Sequence, residues 1–169
     1  KQIIEKINKS WHSNPPCDQQ IMLSVGKLFP LPDDYKEFML WSNGGEGNIG
    51  SQYLSLWKIE DLMQLNKEYQ IQKYLSKKSL VIGTDGGDNC IGFYFGEPTF
   101  IFLQPLGDLD LSENRFLSQS FTDMFINWLR KDNKMTLTSG STSPERSVSH
   151  PTLIAEKNMN NWIETSGSP

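Results

Sequence analysis

The run SLVIGTDGGDNCIGFYFGEP sets a glycine pair between two aspartates, Asp85-Gly86-Gly87-Asp88, with apolar residues on both sides. Carboxylates and glycines together are the materials of phosphate cradles and calcium loops, so the spacing has to decide. A phosphate loop needs a lysine and a hydroxyl residue after its last glycine and a helix to receive the phosphate. Here Asn89 and Cys90 follow instead and lead into an extended apolar run. A dinucleotide fingerprint needs G-x-G-x-x-G at the head of a helix, and Gly83, Gly86 and Gly87 have a different spacing. Calcium takes six or more oxygens, whereas Asp85, Asp88 and Asn89 supply only part of that shell and lack EF-hand spacing. The segment therefore reads as a hairpin connection with Gly86 and Gly87 at positive φ, and neither metal nor cofactor is expected.

The remaining candidates for chemistry are sparse. His12 stands beside a proline break and His150 in a Ser/Thr-rich stretch; neither is in a motif that pairs it with a nucleophile, and both read as surface histidines. Cys17 and Cys90 are far apart and form no C-x-x-C pair, which argues against zinc and against a disulfide framework. Asp33, Asp34 and Glu37 occupy the first turns of a helix, where negative charge is expected for electrostatic reasons alone. No catalytic set can be assembled, so an enzyme is not expected.

Sixteen basic against twenty acidic side chains give a net charge of -4, which offers nucleic acid no general attraction. No apolar run is long enough to cross a bilayer, and the cysteine usage fits a reducing cytoplasm. A chain that begins at Lys1 rather than Met is expected to have lost a start or a longer N-terminal portion.

Apolar periodicity supplies the elements that position these residues. Ile3, Ile4, Ile7 and Trp11 lie along one face of a first helix, ended by the paired prolines of NPPCD. Asp18 caps a second helix with Ile21, Met22, Val25, Leu28 and Phe29 at helical spacing. A third begins at LPDDYKEF, buries Tyr35, Phe38, Met39 and Leu40, and has Gly44 placed as a left-handed C-cap. An extended stretch from Gln52 to Trp57 precedes a helix with Ile59, Leu62, Met63 and Tyr69 inward. SLVIGT, CIGFYF and TFIFLQ then form an antiparallel meander. Ser120 caps a last helix whose apolar face is Phe121, Met124, Phe125 and Trp128. Residues 1–130 thus form one α+β domain, and 131–169 a Ser/Thr/Gly-rich extension whose Leu153, Ile154, Trp162 and Ile163 can dock back on the domain or on a partner.

Four landmarks in order, LPDDYKEFMLWSNGG, a strand with WKIEDLMQLN, VIGTDGGDNCIGFYF and SFTDMFINWL, resemble the SMI1/KNR4 family of the SUKH superfamily over roughly residues 18 to 130. Asn43-Gly44-Gly45 and Asp85-Gly86-Gly87-Asp88 match the family pattern; the family often has a small or acidic residue where Asn89 stands. The resemblance implies a central, mainly antiparallel sheet with flanking helices and a non-enzymatic role in protein binding. Bacterial members look like immunity proteins that neutralise polymorphic or contact-dependent toxins, many of them nucleases. Fungal relatives are similar to regulatory scaffolds of cell-wall assembly. The expected reading is a cytoplasmic bacterial immunity protein that occludes a toxin's active site, with the cell-wall scaffold as the alternative. Its expected contact residues are Glu46 in a Gly-rich turn, Asp85, Asp88 and Glu97 on the turns of the meander, and Trp57 as an exposed anchor.

Overall fold

A computed structural model describes residues 1–137. Its centre is a seven-stranded, wholly antiparallel sheet whose strands lie side by side in chain order. They are β1 (Trp11–Ser13), β2 (Gly45–Ile49), β3 (Gln52–Leu56), β4 (Ser79–Thr84), β5 (Asn89–Tyr94), β6 (Phe100–Pro105) and β7 (Arg115–Ser118). The helices are α1 (Gln2–Ile7), α2 (Gln19–Gly26), α3 (Asp33–Trp41), α4 (Leu62–Glu68), α5 (Ile71–Tyr74) and α6 (Phe121–Leu137). None of the described helices is long and apolar enough to cross a membrane.

Strand alternation explains the core. Along β5, Ile91 and Phe93 face the main core, while Cys90 and Tyr94 face a smaller one; on β6, Ile101 faces the first, Phe100 and Phe102 the second. The main core receives Met22 and Val25 of α2, Tyr35, Phe38 and Met39 of α3, and Phe121, Met124, Phe125 and Trp128 of α6. The smaller one is closed by Ile71 and Leu75, with Leu106, Leu109 and Phe116 against it. Covered on both faces, β4 to β6 read as unbroken apolar runs. β2 and β3 are covered on one face only: Ile49, Leu54 and Leu56 point inward, while Glu46, Asn48 and Tyr53 are exposed.

The caps at Asp18 and Ser120 are as expected: Asp18 accepts from the Gln20 N–H at 2.7 Å and Ser120 from the Asp123 N–H at 3.0 Å. Other expectations are corrected. Trp11 is a strand residue, not part of α1, and its indole N–H donates to Ser42 Oγ at 3.3 Å. Ile21, Leu28, Leu40 and Tyr69, placed inward by spacing, are exposed: Ile21 and Leu40 lie outside the narrower stripe their helices bury, while Leu28 and Tyr69 stand past the ends of α2 and α4. Gly44 has φ 69°, but α3 already ends at Ser42, which is extended, so Gly44 is not the C-cap of α3. Asn43 instead cross-links the turn, accepting from the Ile59 N–H at 2.8 Å and donating to Glu60 at 2.7 Å. Glu46 sits in β2, a fully paired strand, where a Gly-rich turn was expected. α6 continues to Leu137, beyond the expected boundary at 130. His150, Leu153, Ile154, Trp162 and Ile163 lie outside the described residues.

Candidate partner-binding surface

The Asp85–Asp88 segment joins β4 to β5, as a hairpin should. Asp85 builds the turn: its Oδ1 accepts from the Gly87 N–H at 2.9 Å and the Asn89 N–H at 3.3 Å, and its Oδ2 from Asn89 Nδ2 at 2.7 Å. Partial burial opposes ionisation of this carboxyl, but the donors outweigh it and hold Asp85 below the usual carboxylate range. Gly86 has φ 78° and lies against the Tyr53 ring, while Gly87 is not at positive φ; only one of the two glycines is required by backbone conformation.

Asp88 connects the hairpin to the β6–β7 loop, its carbonyl accepting from the Leu106 N–H at 2.8 Å. That loop is shaped from below by the buried Gln104, whose Nε2 donates to the carbonyls of Asp108 at 3.1 Å and Asp110 at 2.7 Å, and whose Oε1 accepts from Asn114 at 3.2 Å. The exposed carboxylates Asp88, Asp108, Asp110 and Glu113 are thereby gathered at one end of the sheet, with Arg115 the cation that the register adds there. On the adjoining open face, Glu46 is directly opposite His12 on β1 and Ser55 on β3, and its carboxylate near the Tyr53 hydroxyl raises the Tyr53 pKa. Glu46, Ser55, Thr84, Cys90 and Gln104 form one transverse row across five strands. Cys90 and Gln104 of that row are buried, so the row shows only that Glu46 is level with the acidic end of the sheet.

Glu97 is not. It lies in the β5–β6 turn, preceding Pro98 through a cis peptide, with all of β5 between it and Asp88. At about 3.4 Å per residue that separation is on the order of 17 Å. Its end of the sheet also carries Lys77 and Lys78, the latter accepting through its carbonyl from the Phe95 N–H at 2.9 Å. Successive turns of a meander alternate ends, so topology alone separates Glu97 from Asp85 and Asp88 and brings Asp108 and Asp110 to them. That parity was the signal by which the sequence could have supplied the last two. Trp57, just past the far end of β3, is half-buried, its indole stacked on Tyr69 with centroids 6.0 Å apart.

The surface offers exposed carboxylates and the exposed Tyr53 as recognition groups. Both thiols are buried; burial pushes Cys17 up and Cys90 up to about 12, opposite to what a nucleophilic thiolate requires. Among the described residues no three or more His, Cys, Asp or Glu side chains converge as metal ligands. The sequence model of the SMI1 / KNR4 family (SUKH-1) matches residues 27–127, well over half of the chain, and covers every strand from β2 to β7. No curated protein sequence matches the chain.

Proposed function

The chain belongs to the SMI1/KNR4 family, and we propose that it is a non-enzymatic immunity protein that binds a cognate toxin and covers its active site. The observation that carries this reading is the acidic end of the sheet, where Asp88, Asp108, Asp110 and Glu113 adjoin the open face bearing Glu46 and Tyr53. A toxin that cleaves nucleic acid must hold phosphates in a basic cleft, and a preformed acidic surface is complementary to it. The internal hydrogen bonds of Asp85 and Gln104 fix both loops before binding, which lowers the ordering cost of association. A toxin acting on intracellular nucleic acid would meet its inhibitor in the cytoplasm.

The test is co-expression with the toxin encoded in the adjacent gene, followed by pull-down and calorimetry. Protection, with a Kd of about 1 nM or tighter, is expected, because leakage must be suppressed at low concentration. Equal killing with and without this protein, or no recovered complex, overturns the reading and leaves the cell-wall scaffold to be tested in its place.

A further inference from the structure

The net charge of -4 is unevenly spread, and one stretch opposes it. Residues 67–78 carry Lys67, Lys73, Lys77 and Lys78 against the single carboxylate of Glu68. These lysines are exposed and make no ion pair among the described residues. Glu68 is engaged elsewhere, accepting from Gln64 Nε2 at 2.7 Å. Two rings stand among the cations: Tyr69 is 41% exposed and Tyr74 49%. Tyr69 is stacked on Trp57 with the ring planes 10° apart, and Lys73 Nζ lies 4.9 Å from the centre of the Tyr74 ring. The stretch is anchored from beneath. Ile71 and Leu75 are buried in the smaller core, Gln72 Nε2 donates to the Ser79 carbonyl at 2.8 Å, and the Lys78 carbonyl accepts from the Phe95 N–H at 2.9 Å. Between α4 and α5 stands Gln70 at φ 54°, the one non-glycine residue at positive φ among those described, and the rings on either side of this turn are the exposed ones. The six residues of β4 separate Lys78 from Asp85, on the order of 20 Å, so Lys77 and Lys78 stand at the end of the sheet opposite the acidic one.

We propose that residues 67–78 form a binding site for single-stranded nucleic acid, with phosphates on Lys67, Lys73, Lys77 and Lys78 and bases stacked on Tyr69 and Tyr74. Unpaired lysines by themselves suit any polyanion, an acidic peptide included. Exposed planar rings set among them favour a polyanion that carries planar groups of its own, because a base can stack on a tyrosine while its phosphates meet the cations. In a duplex each base face is already covered by its neighbours, so the rings select a single strand. Lysines act as point charges and read no base edge, so binding is independent of sequence. The anchors below the stretch hold the rings and cations in place before a strand arrives, which lowers the ordering cost of binding. The proposal does not rest on toxin binding, since the two surfaces lie at opposite ends of the sheet and their charges are of opposite sign.

The experiment uses the full chain and fluorescence anisotropy. The probes are labelled mixed-sequence DNA and RNA strands of about 12 nucleotides, the duplex of the same DNA sequence, and polyglutamate, titrated between about 20 and 200 mM salt. Binding of either single strand is expected, with a Kd on the order of 10⁻⁵ M at the lowest salt and a slope of log K against log salt of about -3, from about 0.7 for each of four phosphates. Lys77→Gln with Lys78→Gln should about halve that slope. Tyr69→Ala and Tyr74→Ala should each weaken binding about fivefold or more at an unchanged slope. Circular dichroism reports whether each variant is folded, and Tyr74, exposed and outside both cores, decides the stacking claim if loss of Tyr69 unsettles Trp57. The proposal is overturned if neither strand binds at the lowest salt, if the lysine variant keeps the parent slope, or if Tyr74→Ala binds as tightly as the parent. It is equally overturned if the duplex binds as tightly as the single strands, or if polyglutamate does, since the occupant is then an acidic protein segment held by charge alone.

Discussion

The carboxamide of Asn66 pairs with both backbone groups of Val81: Oδ1 accepts from the Val81 N–H and Nδ2 donates to the Val81 carbonyl, each at 2.8 Å. The ladder between β3 and β4 is short, Ser55 with Thr84 and Leu56 with Gly83, extended by the Trp57 N–H to the Ile82 carbonyl. Beyond that point β3 has ended, and one side chain of α4 stands in for the missing strand. Asn66 is wholly buried and also donates to the Leu62 carbonyl at 2.8 Å, so the amide is tied to its own helix as well.

Replacing Asn66 by Ala leaves a buried N–H and a buried carbonyl of Val81 without partners. At about 1 to 3 kcal/mol for each such group, the loss should be about 3 kcal/mol, read as a fall in urea midpoint at unchanged slope. A loss under about 1 kcal/mol would mean that water enters and takes over both bonds.

The two glycines of the hairpin should separate cleanly. Gly86→Ala forces a Cβ into the Tyr53 ring at φ 78°, and is expected to cost about 1 to 2 kcal/mol. At Gly87 the nearest atom a Cβ would meet is Asp85 Oδ1 at 3.4 Å, so Gly87→Ala should stay within about 0.5 kcal/mol of the parent. Equal effects in thermal melts would show that the turn relaxes around either side chain.

What could be read from the sequence was whatever had a local cause. The Ser120 cap and the Phe121, Met124, Phe125 and Trp128 stripe of α6 are local, as are the apolar runs of β4, β5 and β6. β2 was hidden because GEGNI has the composition of a turn. Its strand character comes from neighbours on both sides, and Gly47 is needed because a side chain there would meet the Ser10 carbonyl across the pair with β1. Trp11 happened to continue the spacing of Ile4 and Ile7, but its place is set by the Ser42 hydroxyl and an edge-on contact with Phe38 at 5.5 Å. The acidic end depends on Gln104, which reaches the carbonyls of Asp108 and Asp110, and a run of apolar strand residues gives no sign of that buried polar group.

Cys90 predicts an alkaline weakness. Burial, reinforced by the Asp85 charge and only partly offset by neighbouring N–H donors, pushes its thiol from 9.0 up to about 12. Between those values the unfolded chain has released a proton that the folded chain still holds, so stability falls as pH rises through the window. Urea melts at increasing pH above 9 should show a falling midpoint, and Cys90→Ala should make the fall shallower. Some slope should remain, because burial holds the Tyr35 hydroxyl above its ordinary value in the same sense. An unchanged slope in Cys90→Ala would mean that the thiol ionises without unfolding.

The final prediction uses Glu97 as the internal control for the proposed binding surface. Asp88 and Asp108 are exposed at one end of the sheet and Glu97 at the other, so reversing either pole changes the net charge by the same amount per residue while altering different surfaces. If association with a basic toxin is steered by the acidic end, Asp88→Lys with Asp108→Lys should slow the on-rate about tenfold or more at low salt and flatten its dependence on ionic strength. Glu97→Lys should leave both close to the parent. Stopped-flow association between about 20 and 500 mM salt makes the comparison, because exposed charges further apart than the Debye length are screened over that range. A result in which Glu97→Lys slows association by half the double variant's effect on a logarithmic scale, in line with its half as large change in charge, would show that net charge, not the acidic end, governs encounter. Slowing confined to Glu97→Lys would move the contact surface to the β5–β6 turn, where Lys77 and Lys78 stand beside it.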